Sequence, residues 1–447
     1  MSIFDHKRLS NETFKLDIER MRHGWYSDKY FVNINAMLTA LASEGYTYRG
    51  KTNNLPAALS AEGLNIGDIE VEMQWFTRRP GTTIVVGVDK ALAMLRHCSG
   101  YYQAENFIET GDKLEVWATQ DGETVRSDGN PLNVQPVLKV RGRYRDFALL
   151  ETATLGILTR ASRIATNVYE TLVAANGKPV LFFPARFDLH EVQAADGYAY
   201  NIAIERFNLD YGNLLRPYVS TDAQGDWWGG YGGGTVAHAA IASFLGDTAE
   251  AMLMFSHTMP AAIPRIALVD FNNDSVHDTL ATLDAMFTRY KTLCDAGEPE
   301  EAAKYRLYGV RLDTSASLRD ASVPPLGDPA LDLGVNPRLV FNVRQALDAA
   351  WERWNLPATW RERGQDFCKS VKIVVSGGFN PEKIRRFEKL SVPVDIYAVG
   401  SGLFSNNGPT VTDYTADVVR VKINGDWVDM AKIGRKPLEN PALERVW

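Results

Sequence analysis

The chain has 447 residues, 45% of them hydrophobic, and a formal net charge of −7. That is enough apolar material for two domains, and it leaves no global basic field to draw the protein to nucleic acid or a membrane surface. A small anionic substrate stays possible, because local arginines and helix ends can hold one against the net charge. The three cysteines, Cys98, Cys294 and Cys368, lie far apart, which excludes metal or redox spacing and argues against structural zinc. The first residues, MSIFDHKRLSNETFK, contain no apolar signal core, and nowhere do eighteen apolar residues run together. The expectation is a soluble, unprocessed protein of the reduced cytoplasm.

In chain order, the first third mixes helix and strand signals. A helix is expected over Phe31–Glu44, strands over Asp68–Thr77 and Thr83–Val88, a helix over Asp89–Arg96, and strands over Leu114–Thr119 and Leu138–Arg141. Tyr144–Ala175 carries apolar residues at helical spacing and predicts one long or kinked helix.

After it a phrase repeats: a short apolar strand, a polar or glycine strand end, then a helix. The strands are Val180–Phe183, Ile266–Val269, Leu307–Leu312, Ile373–Val375 and Ile396–Val399. Their ends fall at Arg186, Asp270, Asp313, Ser376-Gly377-Gly378 and Gly400-Ser401-Gly402. Helices are expected over Val192–Asn208, Val236–Leu245, Thr279–Ala296, Pro337–Asn355 and Pro381–Leu390. Such alternation predicts a parallel α/β barrel with its chemistry at the C-terminal strand ends. The tail adds a hairpin in VVRVKINGDWVDM, turning at Asn424-Gly425, and a basic run from Lys432 to Pro437.

The segment GDWWGGYGGGTVAHAAIASF, Gly225–Phe244, carries the strongest hint of chemistry. It places His238 just inside a helix after a glycine-rich loop, with Thr235 as the expected N-cap and Gly232, Gly233 and Gly234 allowing a ligand close to the backbone. The positive helix end favours a neutral, nucleophilic imidazole beside phosphate. The two glycine loops after the last two strands resemble backbone phosphate cradles, although tight turns are an equally ordinary use of such glycines. Arg186 is a candidate anion contact or a surface ion pair. Arg311 and Asp313 occupy alternate strand positions, so both side chains can bracket a polar ligand or form a structural pair. Trp227 and Trp228 either cover a planar ligand or plug a loop.

Taken in order, SDKYF, YRDFALLETATLGILTRASRIATNV, FFPAR, GTVAHAAIASFLGDTAEAM, PRIALVDF, YGVRLDTS, VVSGGFNPEKI and VDIYAVGSGL resemble the nicotinate phosphoribosyltransferase family from about Ser27 to the C-terminus. The resemblance implies the type II phosphoribosyltransferase architecture: an N-terminal α/β sandwich over 1–145, completed by part of 405–447, and an irregular α/β barrel over 146–404. Residues 405–447 form the hairpin and basic tail. It implies a cytoplasmic homodimer with shared sites that converts nicotinate and 5-phosphoribosyl-1-pyrophosphate into nicotinate mononucleotide and pyrophosphate, with Mg²⁺ and coupled ATP hydrolysis.

Carried over, Tyr30 is similar to the aromatic donated across the dimer and Phe183 to the opposite face of a pyridine sandwich. Arg186 resembles the contact to the nicotinate carboxylate or pyrophosphate. His238 is similar to the histidine that ATP phosphorylates, and Arg311 and Asp313 to the Arg-x-Asp at ribose and ring. Gly377, Gly378, Gly400 and Gly402, with Ser376 and Ser401 beside them, resemble the loops that hold the 5′-phosphate. Asp270 joins the expected substrate contacts, and no protein-only metal site is expected. Phe187 stands where the family is often basic, and the Thr221–Gly234 segment is expanded. Nicotinamide or quinolinate phosphoribosyltransferases on the same fold, and a non-catalytic nucleotide-binding relative, are the alternatives; GTVAH argues against quinolinate.

Overall fold

The computed structural model describes residues 4–447. Two hydrophobic cores organise them, a larger one around a parallel sheet and a smaller one under an antiparallel sheet.

The antiparallel sheet has six strands, in the order Asp426–Asp429, Tyr414–Ile423, Glu70–Thr77, Leu138–Arg143, Glu115–Ala118 and Glu444–Arg445. The C-terminal segment therefore supplies both edges, and Glu70–Thr77 is sealed on one side by Tyr414–Ile423, in register from Thr77 opposite Tyr414 to Val71 opposite Val421 across one irregularity. Its hairpin turns at Asn424 and Gly425, with φ of 51° and 96°, the pair of positive values that a two-residue hairpin matched to strand twist needs. The helix Val88–Cys98 buries Ala91, Leu92 and Leu95 against this sheet, together with Leu158 of the following long helix.

Several local boundaries differ from the sequence expectation. The Thr83–Val88 strand is really Gly81–Ile84, and Val88 already opens the next helix. The long helix starts only at Glu151, after two 3₁₀ turns. Ion pairs hold those turns: Arg143 and Arg145 both bind Asp68, at 2.9 and 2.8 Å, and Arg143 also binds Asp146 at 2.9 Å. The expectation missed the hairpin Gly100–Gln103/Asn106–Glu109 and the helices Thr248–Thr258 and Ala358–Lys369.

The parallel sheet has five strands, in the order Val180–Phe182, Ile396–Val399, Lys372–Val375, Gly309–Leu312 and Ile266–Leu268, and every neighbouring pair is parallel. They read as continuous apolar runs because helices cover the sheet. Beyond Phe182 the sheet continues through single bridges, Phe182 to Val219 and Val219 to Gly232, so it curls into an irregular α/β barrel. The covering helices start where short polar side chains accept backbone N–H groups: Asp274 from His277, Asn336 from Leu339 and Asn380 from Lys383. Pro337 and Pro381 follow the two asparagines, where no N–H is needed. No helix among the described residues is long and apolar enough to cross a membrane.

Candidate active site

The C-terminal strand ends surround a cavity of about 380 Å³. Phe183, Arg186, His238, Arg311, Asp313, Ser376, Gly377, Gly378, Gly400 and Ser401 all line it. Parallel registration is what gathers them. Leu312 sits opposite Val375, so the next residues, Asp313 and Ser376, leave the sheet side by side.

Ser376 is anchored twice at that point: its N–H donates to the Leu312 carbonyl at 2.9 Å, and its hydroxyl donates to Asp313 Oδ1 at 2.8 Å. Asp313 is thus aimed by a buried neighbour. Arg311, two residues earlier, faces the same space with a buried Nε that has no hydrogen-bond partner among the described residues. A desolvated guanidinium donor without an acceptor costs about 1–3 kcal/mol, a cost an anionic ligand can offset. Gly377 and Gly378 follow with φ of 85° and 68°. Two successive left-handed residues are accessible to glycine at little cost, and a Cβ at the first would sit 3.4 Å from Asp313 Oδ1.

On the second loop, Gly400 and Ser401 line the cavity and Gly402 does not. A Cβ at Gly400 would lie 2.7 Å from the Phe187 ring, and one at Gly402 would lie 2.7 Å from the Phe379 carbonyl oxygen. Gly402 is therefore a packing glycine behind the loop. The Arg186 guanidinium lies 5.3 Å from the Phe187 ring centroid, so the ring acts as a shelf for its neighbour. Phe183 is held by its N–H donating to the Val399 carbonyl at 2.9 Å, with its ring 6.2 Å from that of Tyr218.

His238 is the first residue of a helix only six residues long, His238–Ser243. The expected Thr235 cap is incorrect: Ala237 holds the N-cap position and makes no side-chain capping bond. What orients the imidazole is a carboxylate, Asp270 at the end of Ile266–Leu268, 3.0 Å from His238 Nε2. Burial raises the Asp270 pKa, opposed by His238 and reinforced by Asp313.

In the glycine-rich lead-in, Gly234 has open space around it, whereas Gly232 and Gly233 lie against their own chain. A Cβ at Gly232 would lie 2.7 Å from the Thr221 backbone, and one at Gly233 would lie 2.7 Å from the Tyr218 ring. These glycines let the loop pack on its own chain. Trp227 and Trp228 point to a different cavity. Tyr30 stays apart from the strand ends, more than half exposed on the helix Lys29–Ser43, with its hydroxyl 3.2 Å from Asp28. Sequence reasoning missed Ser220, Ala237, Phe379 and Ala398 in the cavity wall; small or apolar side chains give no chemical signal for such a position.

An antiparallel N-terminal layer joined to an irregular parallel barrel, with arginine, acid and glycine loops at its strand ends, is the architecture of the type II phosphoribosyltransferases. Residues 57–162 match the model of the quinolinate phosphoribosyl transferase N-terminal domain. The structure is similar to that of nicotinate-nucleotide pyrophosphorylase from Pyrococcus furiosus, at 23% identity over 94% of this chain and 80% of that one, with a TM-score of 0.62. It is also similar to human nicotinic acid phosphoribosyltransferase, at 17% identity over 88% of this chain and 74% of that one, with a TM-score of 0.53. The chain has the fold of these phosphoribosyltransferases.

Proposed function

We propose that the protein is an ATP-coupled nicotinate phosphoribosyltransferase of the cytoplasm, forming nicotinate mononucleotide and pyrophosphate from nicotinate and 5-phosphoribosyl-1-pyrophosphate. One observation carries this reading: the acid-paired His238 shares a single cavity with Arg311, Asp313 and both glycine loops.

In this reading Phe183 supplies a flat wall for the pyridine ring and Arg186 pairs with its carboxylate. The backbone N–H groups of Gly377, Gly378, Gly400 and Ser401 receive the 5′-phosphate, and Arg311 meets the remaining anionic charge. The pyridine nitrogen forms the new bond to the anomeric carbon as the bond to pyrophosphate breaks. Asp313, held by Ser376, steadies the positive charge that develops on the ribose between the two events. In the coupling half, an imidazole nitrogen of His238 attacks the γ-phosphorus of ATP and ADP leaves; water later hydrolyses the phosphohistidine. Differential affinity of the phosphorylated and free forms for substrates and products would couple the two halves.

Mg²⁺ belongs to the proposal. Such an ion needs one or two carboxylates plus substrate phosphates. Asp313 and Asp270 would hold it, and it would neutralise pyrophosphate charge. A homodimer would bring Tyr30 of a second copy to the ring opposite Phe183.

Purified protein with phosphoribosyl pyrophosphate, Mg²⁺ and ATP, offered nicotinate, nicotinamide and quinolinate separately, tests the reading. Mononucleotide from nicotinate alone supports it; product from nicotinamide but not nicotinate overturns it. The N-terminal domain match favours quinolinate as the second reading. A second ring carboxylate would call for a further cation beyond Arg186 and Arg311, the two arginines lining the cavity among the described residues. Carbon dioxide released with the mononucleotide identifies that case.

A further inference from the structure

A second cavity, of about 410 Å³, shares no lining residue with the strand-end cavity. It lies between the N-terminal segment around Arg8, the Asp89 and Asp121 region, the helix Gln193–Tyr211 and the tryptophan pair. Its volume is in the range of small-ligand sites.

Its charged lining residues are Asp5, Lys7, Arg8, Asp89, Asp121 and Glu205. Arg8 is already committed, donating to Asp89 Oδ1 at 2.8 Å and to the Thr119 carbonyl at 3.1 Å, while the Leu9 N–H takes the other Asp89 oxygen at 2.9 Å. Among the described residues Asp121 forms no such ion pair. Its Oδ1 accepts from the Val88 N–H at 2.8 Å, but its Oδ2 is buried without a hydrogen-bond partner, in a residue only 7% exposed. Around it stand aromatic walls: Tyr198 and Trp227, with ring centroids 5.9 Å apart, and Trp228, whose own N–H is satisfied by the Gln224 carbonyl at 2.8 Å. A lone buried carboxylate oxygen among flat aromatic surfaces is the recognition chemistry of an organic cation.

We infer that this cavity is a binding site for a small flat organic cation, of the aromatic amidinium or protonated heteroaromatic amine class, with Asp121 Oδ2 as its anchor. The inference is independent of the catalytic reading.

Electrostatics agree. Burial, and then the Asp89 carboxylate, raise the Asp121 carboxyl to about 7, against the opposing pull of Arg8 and the Val88 and Gly87 amides. From the facing helix, the Tyr198 phenol and the Glu205 carboxylate look into the same space. Positive charge comes from Lys7 in the cavity wall and from Lys90, whose ammonium lies 5.1 Å from the Trp227 ring centroid. A bound cation must still displace a proton from Asp121 below neutrality, which weakens affinity about tenfold at pH 6 relative to pH 8.

Benzamidine is the probe, titrated calorimetrically into the full-length protein, with benzamide as its uncharged counterpart. The expected result is one saturable benzamidine site per chain, no benzamide binding, and the tenfold loss at pH 6. Asp121→Asn keeps an oxygen for the Val88 N–H and is expected to weaken binding at least tenfold, whereas Asp313→Asn in the other cavity leaves it unchanged. No saturable binding, equal affinity of Asp121→Asn, or loss of the site in Asp313→Asn overturns the assignment. If Asp121→Asn does not fold, the pH dependence of the wild-type protein decides, and a flat profile overturns the site.

Discussion

His238 Nε2 and a carboxylate oxygen of Asp270 lie 3.0 Å apart at the rim of the strand-end cavity. Because Asp270 is buried and a carboxylate only accepts, the contact selects the tautomer with its proton on Nε2 and leaves the Nδ1 lone pair free. The phosphoryl group should then reside on Nδ1, which phosphorus–nitrogen coupling in the NMR spectrum of the ATP-treated protein would reveal. His238→Ala should keep basal transfer and lose ATP stimulation. Asp270→Asn should phosphorylate more slowly, since the amide no longer stabilises the charged ring. Unchanged stimulation in His238→Ala would remove phosphohistidine from the mechanism.

The Ser376 hydroxyl bond to Asp313 Oδ1, at 2.8 Å, predicts a positioning role. Ser376→Ala leaves the backbone bond to Leu312 intact, so folding should be nearly unaffected. Loss of a hydrogen bond to a charged acceptor is worth about 1.5–3 kcal/mol, which corresponds to a fall of roughly tenfold to a hundredfold in kcat/KM. Ser376→Thr, which restores the hydroxyl, should recover part of it. A loss of thermal stability equal to the loss of activity would instead mark Ser376 as purely structural.

The strand ends were legible in the sequence because of the physics that made them. Strands buried on both faces must be apolar, so the first polar residue after each run marks where the chain leaves the sheet; Asp270, Asp313 and Ser376 all follow that logic. The histidine was legible as a residue but not in its setting. Its partner Asp270 is 32 residues away, a proximity created only by barrel closure. Gly232 and Gly233 of the lead-in are ambiguous for a related reason. Glycines that let a loop pack against Thr221 and Tyr218 have the same local signature as glycines that admit a phosphate.

A pH dependence of stability is expected from Glu151, at the start of the long helix. Burial, then Asp417 and Asp28, raise its carboxyl to about 8, above the ordinary unfolded value of about 4.3. The folded state therefore holds this proton more tightly than the unfolded state does. Its contribution is full below the unfolded value and is lost as pH rises towards 8. Glu151→Gln removes the penalty, so the variant should melt above the wild type at pH 8, with the gap closing at pH 5. Equal melting curves at both values would show that the carboxylate finds compensating charge.

Gly400 and Phe187 make the sharpest packing test of the cavity. Gly400 has φ −107° and ψ −112°, outside both the β and the α regions open to L residues, so alanine there adds backbone strain to any effect of space. The added Cβ would lie 2.7 Å from the Phe187 ring, too close for carbon atoms, and the ring must move. Its displacement also removes the shelf on which Arg186 lies. Overpacking of this kind costs about 1–3 kcal/mol, and Phe187 is nearly half exposed, so the ring can swing outward and the cost should fall on substrate affinity more than on folding. Gly400→Ala should therefore raise the KM for the anionic substrates several-fold, with a small change in melting temperature. The double variant Gly400→Ala/Phe187→Ala should recover the part of that affinity lost to the collision, but not the part owed to the Phe187 shelf under Arg186. If the double variant is as impaired as Gly400→Ala alone, the backbone of Gly400 rather than the ring clash governs binding, and the phosphate contact itself is what the methyl group disrupts.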